Sequence, residues 1–246
     1  MIMHKVSVII PVLNEAYYLE DTLHNLKALS SPAHEIIVVD GGSTDGTLDR
    51  VYNYNVKIVK SKETGRAIQM NEGARIATGD YLCFLHADTS VPTDLVQVIV
   101  QTLNQPKIAC GGFISIMRGK RKIRWLTSFL NYTKTYGFAL IYRPRLFFSK
   151  RFRVLFGDQA IFCHKTTFWQ CGGFNEELPV MEEVDFCQRI VKYGRIKQIN
   201  RIVESSDRRV AKQGFLKSHI IYLGVIILWA FGVSPLYLKK LYKDVR

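Results

Sequence analysis

The chain reads as an α/β protein with a mostly parallel central sheet and a C-terminal apolar helical tail. Short β-branched runs alternate with helical stretches over the first 90 residues, and two of those runs end on a carboxylate at a turn. Residues 211–246 then change character to an almost acid-free, strongly apolar segment. Strands alternating with helices imply parallel pairing through right-handed crossovers.

The elements follow in order. Residues 6–12 form an apolar run that stops near Pro11, and Asn14 is placed to cap a helix whose Leu19, Leu23 and Leu26 recur at i, i+4 and i+7. A second strand at 35–39 breaks into a Gly-rich turn with a short helix beginning near Thr44. A strand at 56–59, a helix at 65–77 and a strand at 80–85 complete the regular alternation. Pro92 opens a helix that runs through Leu103, and a strand follows at 112–117. A helix at 123–136 is expected in the basic-aromatic stretch beyond it. Order resumes at 157–163, passes the Gly172-Gly173 turn and reaches a helix at 182–193. On that helix Glu182, Asp185 and Arg189 share one face while Phe186 and Ile190 share the buried one. A strand at 195–203 closes a domain expected to span residues 1–210.

The remainder, 211–246, is expected to form a helical tail. Residues 220–233 are 14 positions without a charge, whereas a spanning helix needs about 20 apolar residues. The segment reaches that length only by running through Pro235. A helix lying in the membrane interface or docked on the protein is therefore preferred, with Lys217, Lys239 and Lys240 on its polar flanks.

Charge is the unusual feature of the composition. The 246 residues carry 34 Lys and Arg against 21 Asp and Glu, a net +13. Between Leu95 and Gly157 there is no acidic residue, yet 12 cations fall there, interleaved with Trp125, Leu126, Phe147, Phe148 and Phe152. Cations beside apolar anchors suit an anionic membrane surface. Nucleic acid would draw on the same charges, but no motif of the usual recognition modules is present, so no nucleic-acid partner is expected. A solvated basic face is the plainer alternative.

Cys83, Cys110, Cys163, Cys171 and Cys187 form no C-x-x-C pair and no zinc-type spacing. Reduced, buried thiols in a cytoplasmic setting are expected. The first residues lead straight into a strand and lack a signal-peptide layout, which argues against export.

The two strand-ending carboxylates are Asp40 and Asp88. Ligands of open α/β sheets bind beyond the carboxyl ends of the strands, so both can face one crevice. Asp40 can contact a ligand or only tighten the turn that Gly41 and Gly42 permit. The turn lacks the G-x-G-x-x-G spacing of a dinucleotide fold. Asp88 can hold a hard cation if a diphosphate supplies the other oxygens, or it can cap the following turn. His86 can ligate that metal, touch phosphate, or serve as a structural hydrogen-bonding histidine. Glu182, Glu183 and Asp185 can be an acidic first turn favoured by the helix dipole, or they can supply a base.

The ordered series Pro11-Val12-Leu13-Asn14-Glu15, VVDGGSTDGT from Val38, Gly65 to Ala74, His86-Ala87-Asp88, and Met181-Glu182-Glu183-Val184-Asp185 resembles family 2 glycosyltransferases of the GT-A fold. The wording GRAIQMNEGA, FLHADT, Gly157-Asp158-Gln159 and Arg208-Arg209 is similar to a bacterial subgroup of short members. The resemblance implies that Pro11, Asn14 and Glu15 line the nucleotide, with Glu15 toward the ribose, and that Asp40 contacts the base. It places Arg66 and Asn71 along the donor and makes Asp88 the last residue of the D-x-D motif, facing metal and diphosphate. His86 stands where the family more often has the first Asp, and Glu183 where its acidic pair usually ends in Asp. The resemblance also suggests that Asp158 and Gln159 contact a sugar and that Arg208 and Arg209 help neutralise the diphosphate.

The expectation is an inverting transferase that moves a sugar from a UDP- or GDP-sugar to an acceptor hydroxyl. A divalent cation, Mn2+ or Mg2+, would assist. Inverting transfer needs a base for the acceptor proton and neutralisation of the leaving group. Glu183 is the expected base, with Glu182 and Asp185 as alternates. The acceptor could be lipid-linked, with the enzyme peripheral at the inner face of the membrane. The rivals are nucleotidyl transfer, and a non-catalytic module that binds nucleotide or lipid.

Overall fold

The computed structural model describes residues 4–119 and 123–243. Lys120, Arg121 and Lys122 of the basic run, and the first three residues, lie outside the described residues.

The first half follows the expected alternation closely. Strand β1 (Val6–Val12) leads to helix α1 (Leu19–Lys27), then β2 (Glu35–Asp40), β3 (Lys57–Lys60), α2 (Arg66–Ile76) and β4 (Tyr81–Phe84). β1 pairs in parallel with β2 and β4, and β2 with β3. Alternate residues of β1 enter different cores, as a pleated strand covered on both faces requires. Ile9 packs beneath α2 with Ile37, Val39, Met70 and Ala74. Val8 and Ile10 pack on the other face with Leu19 and Leu23 of α1.

The second half mixes directions. A two-residue strand β5 (Thr89–Ser90) precedes α3 (Leu95–Leu103) and β6 (Ile108–Arg118). Next come α4 (Trp125–Tyr142), α5 (Pro144–Ser149), β7 (Ile161–His164), α6 (Lys165–Gln170), α7 (Glu182–Ile190) and β8 (Arg195–Ser206). The 8-stranded sheet has the order β3-β2-β1-β4-β7-β6-β8-β5. β7 runs antiparallel to β4 and β6, and β5 antiparallel to β8, while β6 and β8 are parallel.

The tail comprises α8 (Arg208–Gln213), α9 (Phe215–Ala230) and α10 (Pro235–Lys243). At 16 residues α9 is about 24 Å long, short of the roughly 30 Å hydrocarbon layer. Among the described residues no helix is long and apolar enough to cross a membrane. Val225, Ile226 and Leu238 are buried in the same core as α7 and Phe152. The five cysteines are free and buried, and burial pushes the Cys83 and Cys187 thiols up to about 12.

Candidate active site

A cleft of about 650 Å³ opens at the carboxyl ends of β1 and β4. One part of its wall is Pro11 to Glu15, Thr64 to Arg66, Gln69 and His86 to Asp88, with Arg208 beside them. Another part is Asn131, Lys134, Phe156 to Gln159, Val180, Met181, Glu183 and residues of α8 and α9. The volume suits a small-molecule site.

The loop after β1 is bolted to the Gly-rich turn after β2. Asn14 has φ 55°, a left-handed conformation that asparagine tolerates. Its backbone N–H donates to Ser43 Oγ at 2.9 Å, and its Oδ1 accepts from the Thr44 N–H at 2.8 Å. Asn14 therefore braces a turn; it does not cap α1, which starts after Tyr18 without a side-chain cap. Gln69, which sequence reasoning passed over, donates to both Val12 O and Val39 O at 2.8 Å. It ties the ends of β1 and β2 together beneath the cleft. Asp40 is buried, and its oxygens accept the Gly42 and Ser43 N–H groups. Its carboxylate shapes the turn and does not line the cleft.

Arg66 is the hub of one end of the cleft. Its Nε lies 2.5 Å from Glu182 Oε1, its Nη2 3.0 Å from Glu183 Oε1 and its Nη1 3.4 Å from His86 Nε2. Glu182 and Glu183 are 1% and 5% exposed. Burial pushes the Glu183 carboxyl up from 4.5 to about 7; Arg66 opposes that rise and Glu182 adds to it. Gly157 completes the arrangement, because a Cβ there would sit 2.5 Å from Glu183 Oε1 and collide with His86 Nε2 as well. Met181, just before the acidic pair, holds φ 68° without being glycine. Such strain persists only where surrounding contacts enforce it.

The carboxylates of α7 have different surroundings. Of the acidic residues only Glu183 lines the cleft. Glu182 is buried under Arg66. Asp185 pairs with Arg189 at 2.6 Å, and Arg189 also donates to the Cys171 carbonyl. Asn71 makes its own contacts. Its Nδ2 donates to Phe174 O and Glu176 Oε1 at 2.8 Å, and its Oδ1 accepts the Phe174 N–H. It fastens the 172–176 turn and does not reach the cleft.

At the other end, Arg208 gathers the carboxylates. Its Nη1 and Nη2 donate to Glu15 at 2.6 and 2.7 Å, its Nε lies 3.2 Å from Asp88 Oδ2, and its guanidinium covers the Tyr18 ring at 5.0 Å. The Arg209 side chain lies outside the described residues. Asp158 accepts from Ser115 Oγ at 2.8 Å, and Gln159 bridges the Phe156 N–H and Thr135 Oγ1. Among the described residues no group of three His, Cys, Asp or Glu side chains could hold a metal ion. Asp88 offers one carboxylate, which fits a hard cation whose other ligands come from a diphosphate.

A parallel β-α-β half joined through an antiparallel strand to an acidic helix is the GT-A architecture. A mannosyltransferase from Pyrobaculum calidifontis, solved with GDP-Man and Mn2+, superposes with a TM-score of 0.69 at 19% identity, over 98% of this chain and 69% of that one. Glucosyl-3-phosphoglycerate synthase from Mycobacterium tuberculosis, solved with Mn2+, UDP and phosphoglyceric acid, gives 0.63 at 19%, over 94% and 80%.

The chain belongs to glycosyl transferase family 2, whose family model matches residues 7–176. Poly-beta-1,6-N-acetyl-D-glucosamine synthase of Staphylococcus aureus (strain COL) is 29% identical over 140 residues, 54% of this chain and 32% of that protein. The match thus spans about a third of that relative's length.

Proposed function

We propose that the protein transfers a sugar from a nucleotide-sugar donor to an acceptor hydroxyl with inversion, and that Glu183 is the base. One observation carries this reading. Glu183 is the cleft-lining carboxylate of α7 and its carboxyl is held at about 7, where a base both accepts and releases a proton near neutrality. As the acceptor oxygen attacks the anomeric carbon, its proton passes to Glu183. The bond from that carbon to the diphosphate oxygen breaks, and the electron pair leaves with the nucleoside diphosphate.

The chain's own residues would position this step. Pro11, Asn14 and Glu15 would line the nucleoside, and Asp40 would hold the turn on which the base rests. Arg66 keeps the acidic pair oriented, and Arg208 would meet the diphosphate. Asp88 would hold a divalent cation together with the donor's diphosphate oxygens, and that cation would neutralise charge on the leaving group. His86, two residues before Asp88 and with its Nε2 3.4 Å from Arg66 Nη1, would stand beside it as a second contact for the metal. The GDP-Man, UDP and Mn2+ of the two structural relatives support a UDP- or GDP-sugar and manganese.

The membrane setting rests on the surface. Ile141 is 83% exposed, Phe231 82% and Phe148 75%, on or beside the helices that carry Arg143, Arg145, Lys150 and Lys217. An acceptor presented at an anionic inner leaflet fits that combination.

The test is product analysis over a panel of nucleotide sugars with and without manganese. Nucleoside diphosphate as product, an inverted anomeric centre by NMR, and loss of turnover in Asp88→Ala and Glu183→Gln are expected. Pyrophosphate as product would instead assign nucleotidyl transfer, and unchanged turnover in both variants would overturn the site.

A further inference from the structure

Among the described cations of the acid-free stretch, Lys134 is the one that lines the cleft. It lies on α4 and is only partly exposed. Its Nζ donates to Asn131 Oδ1 at 3.1 Å and sits over the Tyr222 ring of α9 at 5.3 Å. Both partners are neutral. Among the described residues no carboxylate lies within 4.0 Å of it, whereas Arg66, Arg124 and Arg208 each meet one within that distance.

The nearest acid by electrostatic influence is Asp158, which is hydrogen-bonded to Ser115. Burial holds the Lys134 ammonium below its ordinary value, and the Asp158 charge only partly offsets this. A desolvated cation without a counter-ion is unfavourable, and proteins that keep one supply an anion to it.

A chain of contacts joins this corner to the chemistry. Gly157 lies against Glu183 and His86. Two residues on, Gln159 donates to Thr135 Oγ1, the neighbour of Lys134 on α4. Lys134 is thus presented on the helix that braces the Gly157 turn. Beside it the wall turns apolar with Val225 and Ile226, and Lys212 stands exposed on α8.

We propose that Lys134, with Asn131 and Tyr222, forms an anion subsite for the acceptor, which accepts a phosphate group attached to an apolar moiety lying against Val225 and Ile226. This deepens the transferase reading and rests on it for the word acceptor. A phosphate on a lipid and a phosphate on a small soluble molecule share the anion, and the apolar wall favours the former.

Calorimetric titration of the full chain with monomeric dihexanoyl phosphatidate, glycerol 3-phosphate and inorganic phosphate tests it. Dihexanoyl phosphatidate is expected to bind at least about tenfold more tightly than inorganic phosphate, and Lys134→Met to weaken it by about tenfold or more, the scale of a lost charge-assisted contact. Lys134→Arg should retain most of the affinity. Lys134→Met should melt no lower than the parent, because it removes a desolvated charge and keeps the stem. Absence of phosphate binding, or equal affinity in parent and Lys134→Met, overturns the subsite. Equal affinity for all three ligands overturns the apolar half of it. Binding of UDP or GDP with manganese to the same parent protein reports separately on the transferase reading, so either can fail alone.

Discussion

Glu183 and Gly157 are two sides of one constraint. The carboxyl of Glu183 is raised because it is buried and lies near Glu182, and it stays usable because Arg66 pulls it back. A base with a carboxyl at about 7 accepts no proton while protonated, so kcat/KM should rise with pH through about 7 and then level. Arg66→Ala removes the lowering influence, and the ascending limb should move to higher pH. Rate profiles of the two proteins between pH 5 and 9 check this, and a limb that stays put would detach Arg66 from the base.

Stability follows the same group with the opposite sense. A folded-state value above the unfolded 4.5 means that Glu183 contributes stability at low pH, lost as pH climbs toward about 7. Chemical denaturation of Glu183→Gln should show that slope flattened. Gly157→Ala leaves the backbone conformation accessible but forces Glu183 and His86 apart. A displacement of about 1 Å costs on the order of 100-fold in rate, so turnover should fall by that much with little change in melting temperature.

At the level of elements, α9 is a wall of the site as well as a tail. Val225 and Ile226 are buried in the core with α7 and also line the cleft. Ile226→Ala should cost about 2 kcal/mol or somewhat more, since a surface-docked helix can partly close the gap. For a chain of this size that is roughly 4–8 °C in melting temperature, readable by calorimetry.

The elements also show what was legible in the residues and what was not. β1, β2 and β4 are apolar runs with abrupt polar ends, so the strands could be read directly, and with them the crevice at the ends of β1 and β4, which Asp40 of β2 does not line. The direction of β7 could not, because periodicity carries no sign and a strand flanked by long connections can enter either way. α4 runs from Trp125 to Tyr142, longer than the expected 123–136, because a single Gly137 is tolerated inside a packed helix and the first hard stop is Pro144. Lys134 was one cation among many in the sequence. What sets it apart is a long-range neighbour, Tyr222, some 90 positions away and invisible to local pattern. Asn71 and Asp185 misled for a related reason, since each sits in a family-like motif while its side chain satisfies a turn or an adjacent arginine.

For the molecule as a whole, exposed cations and exposed apolar side chains come together on α5, α9 and α10 and at the C-terminal end of α4. Arg143, Arg145, Lys150, Lys217, Lys239 and Lys240 are exposed there. At about 1 kcal/mol for each cation near an anionic surface, six give at most about 6 kcal/mol. Debye screening shortens from about 10 Å at 0.1 M salt to about 3 Å at 1 M and removes most of that. The apolar anchors respond differently, because burial of Ile141, Phe148 and Phe231 does not weaken with salt. Cosedimentation with phosphatidylserine-containing vesicles should therefore be strong at about 0.1 M salt and weaker, though measurable, at about 1 M. Vesicles of phosphatidylcholine alone should retain only the weak salt-insensitive part. The triple variant Ile141→Ser, Phe148→Ser, Phe231→Ser should abolish that remainder while leaving the salt-sensitive part. Equal pelleting with both vesicle types at low salt would show that charge is not what brings the enzyme to its acceptor, and failure to pellet with either would place the acceptor in solution.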